Sequence, residues 1–267
     1  MSQLEIINIA ADKLTAFISE FTSKAGFSRL VLGLSGGVDS SVSAVLGARA
    51  LGPENVLGII MPYKSSSPQS EQDALDLANK IGIKTEKIEI SPMIDTYFKN
   101  LDAAPLRKGN KCARERMSIL FDIAARDNCL VLGTSNKTEI CLGYSTWYGD
   151  AACSLNPLGG LYKREVWALA EYLGVPRQII EKSPTADLWP NQTDEDELGL
   201  TYKMADDILE LIIEQGVTSL ERILETGASE EIVRLVEKRI NSFYFKRELP
   251  ATELLDSRPI PSSVKIV

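Results

Sequence analysis

A short apolar run that turns through a serine and two glycines into a helix is the feature of this sequence that most restricts its fold. Residues 30–32 predict a buried strand, and residues 38–51 have the apolar periodicity of a helix. Between them, Gly36 and Gly37 permit a sharp turn and let a bound group approach the backbone. The first amides of a helix have no partners within it and lie at the positive end of its dipole. The strand, turn and helix therefore predict a phosphate-binding site.

Two common phosphate-binding loops do not fit this turn. A Walker loop requires a lysine after its last glycine, and residues 30–49 contain none. The dinucleotide pattern Gly-x-Gly-x-x-Gly also does not occur there. The remaining pattern, Ser-Gly-Gly-x-Asp-Ser after a strand, resembles the pyrophosphate-binding loop of the N-type ATP pyrophosphatases, which split ATP into AMP and pyrophosphate. The alternative is a glycine turn without a ligand, in which Asp39 and Ser40 only cap the helix.

The resemblance implies a set of ATP-binding residues in this loop. The pyrophosphate end of ATP would be held by Ser35, Gly36, Gly37, Ser40 and Ser41, and Asp39 would also be a ligand of Mg²⁺. The implied ATP-binding residues are Gly33, Leu34, Ser35, Gly36, Gly37, Val38, Asp39 and Ser40.

The composition restricts the chemistry further. The chain has 267 residues, a formal net charge of −8 and no histidine. The charge argues against a nucleic-acid partner. Without histidine there is no Ser-His or Cys-His mechanism, and carboxylates and hydroxyls would serve a hard cation such as Mg²⁺. The four cysteines form no C-x-x-C pair and are expected to be buried apolar residues. With no long apolar run and no signal sequence, the chain is predicted to be cytoplasmic, without a membrane partner.

Strands and helices alternate in the first half of the chain. Further strands are predicted at 55–62, 83–90 and 129–132, with 83–90 at the sheet edge. Helices are predicted at 4–21, 68–81, 109–126, 202–213, 219–224 and 230–240. This order predicts an α/β fold with a Rossmann-like, doubly wound parallel sheet and additional C-terminal helices, similar to the adenine nucleotide alpha hydrolases. Ligands would bind at the carboxyl ends of the strands.

Further motifs follow the glycine loop in a fixed order. They are Gly109-Asn110-x-x-Ala113-Arg114-x-Arg116-Met117, Gly133-Thr134-x-x-x-x-Glu139, Tyr148-Gly149-Asp150, residues 156–158 with 160–166, and residues 183–188 with 194–199. Together with the loop they resemble the NAD synthetase family over about residues 30–200. This family uses ATP to adenylate the carboxylate of deamido-NAD, and ammonia then displaces AMP to give NAD.

The resemblance implies a role for each matching residue. Asp39 and Glu139 would bind Mg²⁺, and Arg114 would contact deamido-NAD. ATP would also contact Thr134, Lys163 and Thr185. From the residues alone, alternatives stay open. Glu139 could be a solvated helix residue paired with Lys137, Thr185 could be a helix cap, and Arg116 could be structural.

The sequence departs from the best-known bacterial members where deamido-NAD would be recognised. Trp147 stands where those members have lysine, Ser154 where they have an acidic residue, and Phe245-Lys246 where they have a His-Lys pair. The residues between Thr134 and Glu139 also lack the histidine of the bacterial version. Trp147 could stack on a nicotinate ring or pack at a subunit contact.

The domain organisation and partners follow from the same resemblance. One NAD synthetase-like domain is expected, with an N-terminal helix (1–26), an ATP pyrophosphatase core (27–200), and a helical extension and tail (201–267). The family usually forms homodimers, to which the apolar first helix could contribute. Ammonia would be used free, or supplied by a separate glutaminase.

Two other functions compete with NAD synthesis at this point. One is that of a tRNA-modifying or GMP-forming ATP pyrophosphatase, and the other is that of a non-catalytic ATP-binding module.

Overall fold

Four short parallel strands form the sheet that the alternating pattern predicts. The computed structural model describes residues 3–185, 187, 189 and 192–250. Within them the strands are β1 (Leu30–Gly33), β2 (Val56–Ile60), β3 (Lys84–Lys87) and β4 (Leu130–Val131). They lie in the order β3-β2-β1-β4, with every neighbouring pair parallel and β3 at the edge as predicted. The strand order reverses between β1 and β4, which is where doubly wound sheets bind ligands.

Helices cover both faces of the sheet because its central strand is apolar on both sides. Leu30 and Leu32 of β1 face one core, whereas Val31 faces the other. The first core is covered by α1 (Gln3–Lys24), α2 (Val38–Leu51), α3 (Pro68–Ile81), α7 (Lys163–Tyr172) and α8 (Arg177–Ile180). The second core is covered by α4 (Ser91–Phe98) and α5 (Pro105–Asp127). The predicted doubly wound α/β class is confirmed.

A third apolar core lies beside the sheet and contains the C-terminal helices. It is built by α6 (Lys137–Leu142), α9 (Asp194–Leu198), α10 (Tyr202–Leu209), α11 (Leu220–Leu224) and α12 (Glu230–Ser242). The predicted helix 202–213 is regular only as far as Leu209 and then widens into a π-helical segment, Glu210–Glu214. Part of the predicted C-terminal tail, 251–267, lies outside the described residues.

Two local features differ from the sequence-based expectation. The helix predicted to begin at Gly109 begins at Pro105, because proline is well suited to the first turn of a helix. Leu155 pairs with Leu132 beyond β4, and the amide of Gly133 donates to the carbonyl of Leu155 at 2.8 Å. That bridge is too short to show a strand pattern. Among the described residues, no helix has the length and apolar character needed to cross a membrane.

Candidate functional site

The loop between β1 and α2 is held in shape by its own serine hydroxyls. The Ser35 and Ser40 hydroxyl oxygens lie 3.0 Å apart, and Ser40 donates to the carbonyl of Gly37 at 3.0 Å. The Ser41 hydroxyl donates to the same carbonyl at 2.8 Å. Because Gly37 is the N-cap of α2, no side chain caps this helix. The first amides of α2 are therefore available to an anion in the loop.

Gly36 is required by its backbone conformation and by a close neighbour. Its φ is +75°, in the region that residues with a Cβ rarely adopt. A Cβ at this position would lie 2.0 Å from the carbonyl oxygen of Ser70, in the first turn of α3. The glycine loop therefore packs directly on the start of α3.

Asp39, Glu139 and Lys163 meet at the floor of the site although they are far apart in the sequence. The ammonium Nζ of Lys163 lies 2.5 Å from Oδ2 of Asp39 and 3.6 Å from Oε1 of Glu139. The Lys163 side chain is only 2% exposed. The structure thus brings together the two predicted metal ligands and the predicted phosphate-binding lysine. Glu139 does not pair with Lys137, whose ammonium binds Glu214 instead.

The first turn of α6 fixes the position of Glu139. Asn136 caps the helix through its side chain, which accepts from the amide of Glu139, while Glu139 Oε2 accepts from the amide of Asn136 at 3.2 Å. The other end of the Asn136 amide donates to Asp39 at 3.0 Å. The hydroxyl of Tyr202, from α10, donates to Asp194 at 3.0 Å, and its oxygen lies 3.4 Å from Glu139 Oε1.

Burial and neighbouring charges both shift the pKa values of Glu139 and Lys163. Burial, and then the neighbouring carboxylate of Asp39, raise the pKa of Glu139 to about 8. Burial lowers the pKa of Lys163, but the two carboxylates more than offset this, so its net shift is upward. Lys163 is therefore charged, and the raised pKa of Glu139 reflects the cost of a second buried negative charge beside Asp39.

These groups open into one large cavity of about 830 Å³ at the carboxyl edge of the sheet. It is lined by residues 33–40 of the glycine loop, except Gly36, and by Thr134 and Thr185. Gly36 packs against α3 instead. Thr185 does not cap a helix: its hydroxyl accepts from the amide of Asp187 in a local turn, at 3.0 Å. Arg116 also lines the cavity, and its Nε donates to the carbonyl of Met61 after β2 at 2.9 Å.

Arg114 is the predicted site residue that the structure places apart from the others. It does not line the cavity, and its Nε donates to the carbonyl of Trp147 at 3.1 Å. Trp147 belongs to an aromatic cluster, with its ring centroid 4.6 Å from that of Tyr148 and 5.1 Å from that of Phe245. Lys246 lies beside this cluster and donates to the carbonyls of Gly143 and Ser145, both at 2.7 Å. Two of the departures noted in the sequence, Trp147 and Phe245-Lys246, therefore lie together, and of these Lys246 lines the cavity. Ser154 lies apart, with its hydroxyl accepting from the amide of Val131 in β4.

The segment after α8 is attached to α3 by Lys182, which sequence reasoning did not single out, and by Asp187 of the predicted motif 183–188. Lys182 donates to Ser70 at 2.9 Å and to the buried carboxylate of Asp73 at 3.1 Å. Asp187 accepts from the amide of Ser67, at the start of α3, at 2.8 Å. The predicted motif 183–188 includes Ala186 and Leu188, which lie outside the described residues. Lys182 follows no recognisable local pattern, so only the three-dimensional contact identifies it.

Comparisons with known proteins agree with this geometry. Residues 10–250 match the family model described as NAD synthase. An NH3-dependent NAD(+) synthetase of Fusobacterium nucleatum is 53% identical over 240 residues, which are 90% of this chain and 93% of that protein.

Solved structures give the same result. The NH3-dependent NAD synthetase from Campylobacter jejuni, in complex with the nitrate ion, is 34% identical with a TM-score of 0.78, covering 94% of this chain and 99% of that one. The NMN synthetase from Francisella tularensis is 33% identical with a TM-score of 0.83, covering 93% and 99%. The chain therefore belongs to the NAD synthase family, and the ligase predicted from its sequence, an ammonia-dependent NAD synthetase, is confirmed.

Proposed function

We propose that this chain uses ATP to activate the carboxylate of deamido-NAD and passes the activated acyl group to ammonia, giving NAD, AMP and pyrophosphate. The observation that carries the proposal is the meeting of Asp39, Glu139 and Lys163 beside the uncapped start of α2. Anion-binding amides and a buried cation suit a triphosphate, and two carboxylates suit its metal ion. In this proposal residues 27–200 form the ATP-binding core, and the helices after them support it.

The triphosphate would be held by groups that line the same cavity, namely the start of α2, the hydroxyls of Ser35 and Ser40, and the Lys163 ammonium. Thr134 and Thr185 also line this cavity and would contact the rest of ATP. Charge neutralisation by fixed donors lowers the barrier for attack by an anionic carboxylate on a polyphosphate.

The residues present fit a magnesium ion. Asp39 and Glu139 both reach the same Lys163 nitrogen, and their mutual repulsion contributes to the raised pKa of Glu139. No group of three or more acidic or cysteine side chains in the described part of the chain is placed to hold a metal. Asp39 and Glu139 would therefore hold Mg²⁺ together with phosphate oxygens and water. Bound there, Mg²⁺ supplies charge stabilisation for the leaving pyrophosphate.

The reaction would proceed in two displacements. A carboxylate oxygen of the acceptor attacks the α-phosphorus of ATP, the bond to the β-phosphate oxygen breaks, and pyrophosphate leaves. Ammonia then attacks the carbonyl carbon, AMP leaves with the former carboxylate oxygen, and the ammonia-derived nitrogen loses a proton to give the amide. The cavity walls would limit access of water to the mixed anhydride between the steps.

A second acceptor is supported by a specific comparison. The structure with a TM-score of 0.83 is described as an NMN synthetase. In this chain Trp147, Tyr148 and Phe245 form an aromatic cluster next to Lys246, which lines the cavity, and Trp147 and Phe245 stand at positions where the sequence departs from the best-known bacterial pattern. The alternative proposal is amidation of the mononucleotide, giving NMN rather than NAD.

One assay tests both acceptors. Purified protein is incubated with ATP, Mg²⁺ and ammonium, together with either deamido-NAD or nicotinate mononucleotide, and the amide, AMP and pyrophosphate are quantified. We expect equal amounts of AMP, pyrophosphate and NAD with deamido-NAD. Formation of ADP, or the absence of amide with both acceptors, would overturn the proposal, and a higher kcat/KM with the mononucleotide would favour the alternative. The need for a separate glutaminase is tested by replacing ammonium with glutamine. We expect no amide from the purified protein under this condition, and amide formation once a glutaminase is added.

We further propose a homodimer formed through α4 and α5. Apolar side chains on these helices and on the loop between them are exposed, namely Met93, Tyr97, Leu101, Leu106 and Phe121. Leu106 also lines the cavity, so a second chain on this surface would border the acceptor. The exposed apolar residues of α1, including Phe17, form the other candidate surface. Sedimentation equilibrium of Leu106→Glu and Phe17→Glu distinguishes the two surfaces, since only the variant whose substitution lies in the dimer interface should become monomeric.

A cytoplasmic location and the absence of nucleic-acid partners stay predictions from the sequence.

A further inference from the structure

Asp206, in the C-terminal helix α10, is a fully buried carboxylate that contacts two other helices. It has no solvent exposure. Its Oδ1 accepts from the hydroxyl of Thr138 at 2.5 Å, and its Oδ2 accepts from the backbone amide of Arg164 at 2.9 Å. Both partners lie at the start of a helix, Thr138 in α6 and Arg164 in α7.

These two partners are the immediate neighbours of the residues at the floor of the site. Thr138 precedes Glu139, and Arg164 follows Lys163. The amide of Lys163 donates to the Thr138 hydroxyl at 3.0 Å. A carboxylate can only accept, so the Thr138 hydroxyl must direct its proton to Asp206 and offer its lone pair to Lys163. One carboxylate thereby fixes the direction of a hydrogen-bond chain that joins the starts of α6 and α7.

We infer that Asp206 is a positioning residue that holds Glu139 and Lys163 at the separation needed to bind the metal and triphosphate of ATP. The inference rests on the proposed function of those two residues. Asp206 touches neither ligand itself and acts through Thr138 and the backbone of α7. Outer contacts of this kind commonly change metal affinity or activity by about 10- to 100-fold when they are removed.

Packing alone does not account for a carboxylate at this position. A buried charge is costly, and apolar replacements of buried ionic groups are often neutral or stabilising. The attachment of α10 to α7 has other sources. The Arg164 side chain forms an ion pair with Asp207 at 3.0 Å and a second one with Glu210. Ile208 and Leu209 are also fully buried in the C-terminal core. The carboxylate of Asp206 adds a defined geometry rather than the bulk of the contact.

The matched variants are Asp206→Asn and Asp207→Asn. Both remove one negative charge from the same helix with almost no change in volume, but only the first alters the contact with Thr138. Binding of Mg²⁺ with α,β-methylene-ATP is measured by isothermal titration calorimetry, and the thermal midpoint is measured alongside. We expect Asp206→Asn to weaken binding at least about 10-fold and Asp207→Asn to change it less than about 2-fold.

A second pair checks the hydroxyl that transmits the effect. Thr138→Val removes the hydroxyl at constant shape and should weaken binding like Asp206→Asn, whereas Thr138→Ser should restore most of the affinity. In turnover, Asp206→Asn should lower kcat and raise the Mg²⁺ concentration for half-maximal activity, with an unchanged KM for the acceptor. A fall in thermal midpoint with unchanged nucleotide affinity would show a structural role only and overturn the inference. If the wild type binds the analogue but forms no amide, the proposed function fails while the binding test still decides the role of Asp206.

Discussion

At the scale of the residue, Lys163 is held more tightly by one carboxylate than by the other. Its nitrogen lies 2.5 Å from Asp39 but 3.6 Å from Glu139, and the pKa of Glu139 is raised to about 8 by burial and by Asp39. The two acidic residues should therefore differ in their contribution to stability even if both are needed for activity.

We predict that Asp39→Asn and Glu139→Gln each lower activity at least about 100-fold, because each removes a proposed ligand of Mg²⁺. Asp39→Asn should also lower the free energy of unfolding by about 1–3 kcal/mol, because it removes the short charged hydrogen bond to Lys163. Glu139→Gln should cost less than about 1 kcal/mol, because neutral glutamine removes a carboxylate that is already disfavoured by burial. Urea unfolding followed by circular dichroism measures both values. Equal losses of stability, or full activity in either variant, would contradict the prediction.

Gly36 supports a second prediction at this scale. Gly36→Ala should inactivate the protein and lower the thermal midpoint, because alanine disfavours a φ of +75° by roughly 1–2 kcal/mol and its Cβ would collide with the Ser70 carbonyl. Gly37→Ala is the control. Its Cβ would meet only the Ser35 hydroxyl, at 3.3 Å, and its φ of −96° is ordinary. Calorimetry should show a clearly larger fall for Gly36→Ala, and similar midpoints for both would show that the α3 contact is unimportant.

Single residues can be singled out as candidates from the sequence only where a local pattern surrounds them. The glycine loop and the motif that contains Glu139 carry their own turn and helix signals, so Asp39 and Glu139 are visible without a structure. Asp206 lies 68 positions from Thr138 and is surrounded by an ordinary amphipathic helix pattern. No rule of periodicity or capping marks it, because its importance depends on a contact between distant segments.

At the scale of the element, helices and strands were predicted where a periodic core face or a buried apolar run was long enough to detect. The helix 68–81 has the predicted bounds. Errors occur where tertiary contacts override the local pattern, as at Leu155, which joins the sheet through a single bridge. The short helix α6 has a local capping signal at its start, but its C-terminal end is completed by cations from the C-terminal region. Arg239 donates to Leu142 and Lys246 donates to Gly143 and Ser145.

We predict that Lys246→Met raises the KM for the nicotinate acceptor about 10-fold and leaves the KM for ATP unchanged. The variant removes two hydrogen bonds, each 2.7 Å long, that order residues 143–145 beside the aromatic cluster, and charged hydrogen bonds of this kind contribute about 1.5–3 kcal/mol. The proposed ATP-binding residues are not among these hydrogen-bond partners of Lys246. Steady-state kinetics with each substrate varied in turn measures both constants. Arg247→Met is the control, because Arg247 binds Cys141 and Ile240 rather than the 143–145 loop. An equal rise in the KM for ATP and the KM for the acceptor in Lys246→Met would contradict the prediction that Lys246 affects acceptor binding alone.

At the scale of the whole molecule, the strand order decides where the distant motifs meet. Because β1 and β4 are neighbours and parallel, the segments that follow them open at the same edge, and the start of α7 closes the floor between them. Alternation of strands and helices predicts this edge in general terms. It does not give the separation of Asp39, Glu139 and Lys163, which depends on how α6, α7 and α10 pack.

This arrangement makes the stability of the whole chain depend on its ligands. Lys163 lies between the two proposed metal ligands, Asp39 and Glu139. Mg²⁺ with α,β-methylene-ATP should bind these groups in the folded state and stabilise it by mass action. At a ligand concentration of about 100 times Kd the gain is about 2.7 kcal/mol, which for a chain of this size raises the thermal midpoint by roughly 5–10 °C. The analogue with EDTA in place of Mg²⁺ should give a much smaller shift, and Glu139→Gln should give the same small shift with or without Mg²⁺. Differential scanning fluorimetry of the four combinations measures this. An equal shift with and without Mg²⁺ in the wild type would show that Asp39 and Glu139 do not hold the metal of the bound nucleotide.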